Sequence, residues 1–195
     1  MSTLAPAVSY ESDTGVTNAK LGIWLFLASE VMLFATLFTS YLVLRMGALS
    51  WPRGWEVLNV PLAMCNTFIL ITSSVTIVMA YAAVVERDKP KFKKFMLVTI
   101  GLSFGFLILK GIEYRAHFMH NEFPSTSIFN AIYFTTTGLH GLHVIGGIIV
   151  NSALLYLSDS QWDHPLFVGR VEGAGLYWHF VDIVWIFLFP ALYLL

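Results

Sequence analysis

Seven side chains could carry chemistry in a chain that otherwise offers little of it: Glu30, Lys110, Glu113, His140, His143, His179 and Asp182. Glu30 stands in Ala28-Ser29-Glu30-Val31, near the middle of a long apolar run. A carboxyl group there is costly unless it meets protein, water or a lipid headgroup drawn inward. A proton relay, a lipid contact and a hydrogen-bonded packing device all remain open for it. Lys110 and Glu113 lie three residues apart and so share a helix face, where they can neutralise one another. Tyr114, Arg115, His117 and His120 follow them, and the whole group reads most simply as anchors snorkelling to a membrane interface. A second reading has Lys110 receiving a lipid phosphate.

His140 and His143 occur in Thr137-Gly138-Leu139-His140-Gly141-Leu142-His143-Val144-Ile145-Gly146-Gly147, again on one helix face and among glycines that admit a close neighbour. Two histidines at this spacing could hold a metal or haem, but zinc recruits three or four ligands. Core histidines satisfied by hydroxyls or carbonyls account for the pattern more simply. His179 and Asp182 share a face in the last apolar run, and Asp182 needs a satisfied environment there. Trp178 beside them is expected near one interface. The single cysteine, Cys65, excludes an internal disulfide and a cysteine-built metal site. No nucleophile elbow, phosphate loop or metalloprotease helix is present.

The elements that position these residues follow from composition. Of 195 residues, 57% are hydrophobic and 12% charged, about half the charge of a typical soluble domain. So much apolar surface cannot be hidden inside one small domain, and the solvent must be lipid. A net charge of −1 leaves no basic surface for nucleic acid. Charge-poor runs predict an all-α polytopic fold with five transmembrane helices over approximately 20–44, 60–85, 95–117, 128–157 and 173–195. A β-barrel would need short alternating segments, which are absent. Residues 1–18 read as a polar tail and 19–195 as one five-helix membrane domain.

The segment Glu86-Arg87-Asp88-Lys89-Pro90-Lys91-Phe92-Lys93-Lys94 joins spans two and three and is rich in Lys and Arg. The positive-inside rule places it on the inner side, which sets the N-terminus inside and the C-terminus outside. No internal repeat suggests the paired halves of a transporter.

Chain order, span number and local motifs together resemble subunit III of the haem-copper respiratory oxidases, which serve cytochrome c or quinol. The matching pieces are Ser29-Glu30-Val31, Asn66-Thr67 with Ser73-Ser74, Glu113-Tyr114, Thr137 to His143, and Tyr177-Trp178-His179-Phe180-Val181-Asp182-Ile183-Val184-Trp185. The likeness covers roughly Lys20 to Leu195, in the five-span bacterial form. It implies a subunit with no catalytic centre and no cofactor of its own, in a bacterial inner membrane rather than a mitochondrial one. Haem and copper would sit in the partner subunit I, with subunit II and room for a small subunit IV in the complex, and a respiratory supercomplex is admissible. It further implies bound phospholipid, support of proton uptake, and protection of the enzyme during turnover.

By the same likeness Glu30 corresponds to the family glutamate that reacts with carbodiimides, and Glu30, Glu113 and His143 fall in the region of lipid contact. Two departures stand out. The longer family form has seven spans and this chain resembles its last five, the first pair being either absent or supplied as an extension of another subunit, and Lys110 stands where an uncharged residue is expected. The related subunit associated with nitric oxide reductase is the nearest alternative, and an independent proton channel or transporter a more distant one.

Overall fold

Long helices form here because each apolar run contains nothing to stop one, and three of them start at a capping side chain. The computed structural model describes residues 18–195; the tail read over 1–18 lies, apart from Asn18, outside the described residues. The helices are α1 (Asn18–Gly47), a short α2 (Gly54–Val57), α3 (Val60–Val85), α4 (Lys89–Met119), α5 (Ile128–Leu157) and α6 (Phe167–Phe189), which continues into a π-helical turn at Pro190–Leu194. Five of them are long and apolar enough to cross a membrane. At a rise of about 1.5 Å per residue, the 30 residues of α1 or α5 extend about 45 Å, beyond the hydrocarbon core of about 30 Å.

The starts of three helices are chemically marked. Asn59 accepts from the Leu62 amide at 3.1 Å, Asp88 from the Lys91 amide at 3.1 Å, and Ser127 from the Asn130 amide at 3.0 Å. Pro61 and Pro90 add a preset φ in the first turns of α3 and α4. Because Asp88 caps it, α4 begins at Lys89, ahead of the apolar stretch read as the third span, and its basic first turn is helical. Both α3 and α4 end in the same way. Arg87 (φ 60°) and Asn121 (φ 58°) take left-handed conformations after the last turn. Asp88 N–H then bonds Ala83 O at 2.9 Å, and Glu122 N–H bonds His117 O at 3.0 Å. This is a Schellman closure in each case, and at α4 it folds Glu122 back over His117.

Helices α3 to α6 form the bundle, with α3 and α4 the most extensively packed pair and α6 lying on α3 and α5. Indole and hydroxyl groups tie the layers together. Trp178 Nε1 donates to Ser73 Oγ and Trp185 Nε1 to Thr67 Oγ1, both at 3.0 Å. The Thr76 and Thr99 hydroxyls are hydrogen-bonded to each other at 2.7 Å between α3 and α4. Trp178 is thus wholly buried against α3, contrary to the interfacial position expected from its sequence neighbourhood. Helix α5 can approach it because residue 147 is glycine, where any Cβ would overlap the Trp178 ring.

Helix α1 is different. It leans on α5 and α6 and buries only Phe34 and Tyr41 along its length, whereas α6 buries twelve residues spread between Phe167 and Leu188. At one end of the bundle, Lys93 and Lys89 reach Asp159 at 2.5 and 3.2 Å, and Lys20 of α1 reaches Glu172 of α6 at 2.9 Å. The basic α3–α4 connection and the α5–α6 connection therefore lie together.

Candidate functional site: a polar bridge and a buried ion pair beside an apolar cleft

Glu30 and His143 meet between α1 and α5. Glu30 Oε2 lies 2.8 Å from His143 Nε2, and the ring's Nδ1 lies 2.8 Å from the Leu139 carbonyl oxygen. A carbonyl only accepts, so Nδ1 carries a proton and donates it. The Glu30–His143 contact then shares one further proton, held either on the carboxyl or on Nε2. Both forms have zero net charge, which suits the pair to lipid surroundings. Phe34 packs edge-on to the imidazole with ring centroids 5.2 Å apart, and the Tyr177 hydroxyl donates to His143 O at 3.0 Å. Bridge and packing together hold α1 at mid-length.

Hollows lie on both sides of this bridge. One, of about 730 Å³, runs between α1 and α6 and includes Trp24, Phe34, Tyr41, His179 and Phe187 in its lining. The other, of about 590 Å³, lies between α1, α5 and α6, with Phe26, Gly146, Tyr177 and, at its end, Arg170. Their walls are almost entirely apolar, a lining whose chemistry matches hydrocarbon better than water.

Lys110 and Glu113 do not snorkel. They are 7% and 3% exposed, and Lys110 Nζ lies 2.9 Å from Glu113 Oε2. A helix running unbroken through both residues points them at the bundle interior, where the interfacial reading would have pointed them at headgroups. Lys110 also donates to the Tyr193 hydroxyl at 2.6 Å, and that hydroxyl donates to Glu113 Oε1 at 2.7 Å. The ammonium lies 4.8 Å from the Trp185 ring centroid and 5.2, 5.4 and 5.8 Å from those of Tyr193, Tyr133 and Tyr114. Aromatic faces and a carboxylate thus replace its hydration.

The other candidates are separated. His140 is 0% exposed, stacked on Trp185 at 5.2 Å and edge-on to Phe106 at 5.7 Å, with neither ring nitrogen hydrogen-bonded among the described residues. Although His140 and His143 share a helix, one enters the core and the other faces α1, so they form no two-histidine site. His179 Nδ1 pairs with Ser74 Oγ at 2.7 Å rather than with Asp182. Asp182 is buried, and neither of its carboxyl oxygens has a protein hydrogen-bond partner among the described residues. Among those residues no group of three or more His, Cys, Asp or Glu is arranged to hold a metal ion.

Sequence reasoning missed Tyr133, Tyr193 and Trp185 as partners of Lys110, because they come from other helices with no spacing relation to it. It also missed Glu122 as the partner of His117. The turn signal at Asn121 could have revealed that contact.

The family model described as cytochrome c oxidase subunit III matches residues 8–195. Cytochrome c oxidase subunit 3 of Bacillus sp. (strain PS3) is 34% identical over 178 residues, which is 91% of this chain and 86% of the relative. Cytochrome c oxidase subunit 3 of Bacillus subtilis (strain 168) is 36% identical over 181 residues, with 91% and 86% covered. Quinol oxidase subunit 3 of the same organism is 33% identical over 189 residues, with 96% and 92% covered.

Proposed function

The chain belongs to the cytochrome c oxidase subunit III family, a set of non-catalytic accessory subunits, and on that premise we propose that it stabilises the catalytic subunit of a proton-pumping terminal oxidase that reduces dioxygen to water. It is a multi-pass protein of a bacterial inner membrane. The observation that carries the proposal is the family match over residues 8–195, which takes in all five membrane helices.

In this reading subunit I is the partner and holds the haem and copper, with subunit II alongside and room for a small subunit IV. The apolar hollows beside α1 take phospholipid acyl chains, and Glu30, His143 and Arg170 lie where a headgroup or its water would approach. His140, His179, Asp182, Lys110 and Glu113 serve the interior that supports this surface. The orientation is N-terminus inside and C-terminus outside. It is supported by the grouping of Arg87, Lys89, Lys93, Arg170 and Lys20 at one end of the bundle. The membrane domain comprises residues 19–195.

Purification of the complex through an affinity tag on this chain tests the assignment. Haem absorbance and a large metal-bearing subunit that reduces dioxygen are expected to copurify, and a partner that reduces nitric oxide instead would overturn it. Whether that complex oxidises cytochrome c or quinol emerges from the same preparation. Labelling of cysteines introduced beside Lys91 and at the C-terminus, from each side of sealed vesicles, tests the orientation.

A further inference from the structure

The π-helical turn Pro190–Leu194 is the point at which otherwise separate parts of the chain converge. From α1, Arg45 donates to the Leu195 carbonyl oxygen at 2.7 Å and to the Tyr41 hydroxyl at 3.2 Å. From α2, Gly54 rests against the Leu192 carbonyl so closely that no Cβ would fit. From α4, Glu113 and Lys110 hold the Tyr193 hydroxyl. Pro190, Ala191 and Leu195 in turn line the hollow between α1 and α6. The seating of this turn therefore sets how far that hollow is closed at one end.

Glu113 is not sealed from water on every side. A separate pocket of about 290 Å³ reaches it, with Asn59, His117, His120 and Glu122 among its walls. His117 stands one helical turn beyond Glu113, and its Nδ1 is joined to the carboxylate of Glu122, which is partly exposed. A carboxylate at the rim, an imidazole in the middle and a carboxylate at the floor make a stepwise route for a proton.

We propose that this pocket is a proton input, and that protonation of Glu113 unseats the C-terminal turn and opens the cleft between α1 and α6. The coupling is electrostatic. The carboxylate of Glu113 is the acceptor for both Lys110 and Tyr193. Once protonated, it leaves a buried ammonium without its counter-charge, a state that a low-dielectric interior strongly disfavours. The titratable groups that face Glu113 are Lys110, Tyr114, His117 and, across the pocket, His120 from its own helix, Tyr133 from α5 and Tyr193 from the turn. Trp185 of α6 and Asn59 are uncharged, and Glu122 acts through His117. None of them supplies a replacement anion for Lys110 at the floor of the pocket. The network relaxes by letting Tyr193 leave and water enter, and Arg45 and Leu192 move with it. This device rests on the hydrogen-bond network alone and holds whichever complex the chain joins.

Amide exchange of residues 191–195, followed by mass spectrometry across pH, provides the test. The sample is the protein purified with its native partners and held in lipid nanodiscs, and rates are corrected for the intrinsic chemistry. Acidification should speed exchange in this segment about tenfold. Glu113→Gln should be fast already and indifferent to pH. Glu122→Gln, at the rim, should keep the slow rate at high pH but move the pH at which the rise occurs. A flat wild-type profile, or a Glu113→Gln profile that follows the wild type, overturns the proposal. If Glu113→Gln does not accumulate, an unmoved transition in Glu122→Gln overturns the proton route.

Discussion

Lys110 and Glu113 show how a single buried contact is best weighed. Removing one partner strands the other charge, so Lys110→Met or Glu113→Gln alone should destabilise by about 3–5 kcal/mol. The double variant should be closer to wild type than either single, because no charge is then left buried. Denaturation midpoints of the three purified variants decide this, and additive losses would count against the pair. Glu30 behaves differently, since its contact with His143 turns on one shared proton. Glu30→Gln can donate its amide to Nε2 and should cost less than about 1 kcal/mol, whereas Glu30→Leu or His143→Leu should cost about 1–3 kcal/mol. The check is thermal stability together with the phospholipid content of the purified protein. A Gln variant as damaging as Leu would mean that the charge, and not the hydrogen bond, holds α1.

At the scale of elements, the bundle depends on close approach where side chains are missing and on charge where loops meet. Gly147→Ala puts a methyl group into the Trp178 ring and should cost about 1–3 kcal/mol, since a buried indole bonded to Ser73 cannot swing aside. A melting temperature equal to wild type would show that α5 and α6 can separate without loss. At the connection between α5 and α6, hydrogen bonds from Lys93 and then Lys89 hold the Asp159 carboxyl below its ordinary value of 3.8. A depressed folded value stabilises the protein above the unfolded value, and the contribution is lost as pH falls through the folded one. The stability difference between wild type and Asp159→Asn should therefore be present at neutral pH, shrink below about pH 4, and diminish with salt because the site is exposed. Urea titrations at several pH values measure it.

On the scale of the whole molecule, α1 is the loosely held part. Four helices share a core centred on α6, while α1 is fastened at three levels: Lys20 to Glu172, Glu30 to His143, and Arg45 to the C-terminal turn. Between these ties lie the hollows that hydrocarbon would fill. Stripping phospholipid with excess detergent should raise amide exchange in α1 about tenfold before α3 to α6 respond. Simultaneous loosening of all five helices would show that lipid supports the bundle as a whole and not the α1 cleft in particular.

The amino-acid sequence by itself determined that five helices are long and apolar enough to cross a membrane, because hydropathy is a local property, though α4 and α6 begin six residues ahead of the apolar runs that announced them. Asn59, Asp88 and Ser127 mark starts that can be read from their immediate neighbours. The sequence also isolated the rare polar residues, since an ionisable group in an apolar run stands out without any knowledge of its partner. It could not say where those residues point. Lys110 read as a snorkelling anchor because the next residues are charged and aromatic, and only the path of α4 through the bundle turned it toward Tyr193, far away along the chain. His140 and His143 read as a pair because they share one helix face, and only the placement of α1 and α6 separated them. Partners drawn from distant helices are set by packing, and packing depends on every helix at once. The local chemistry of the chain thus names the participants, and tertiary structure alone decides which of them meet.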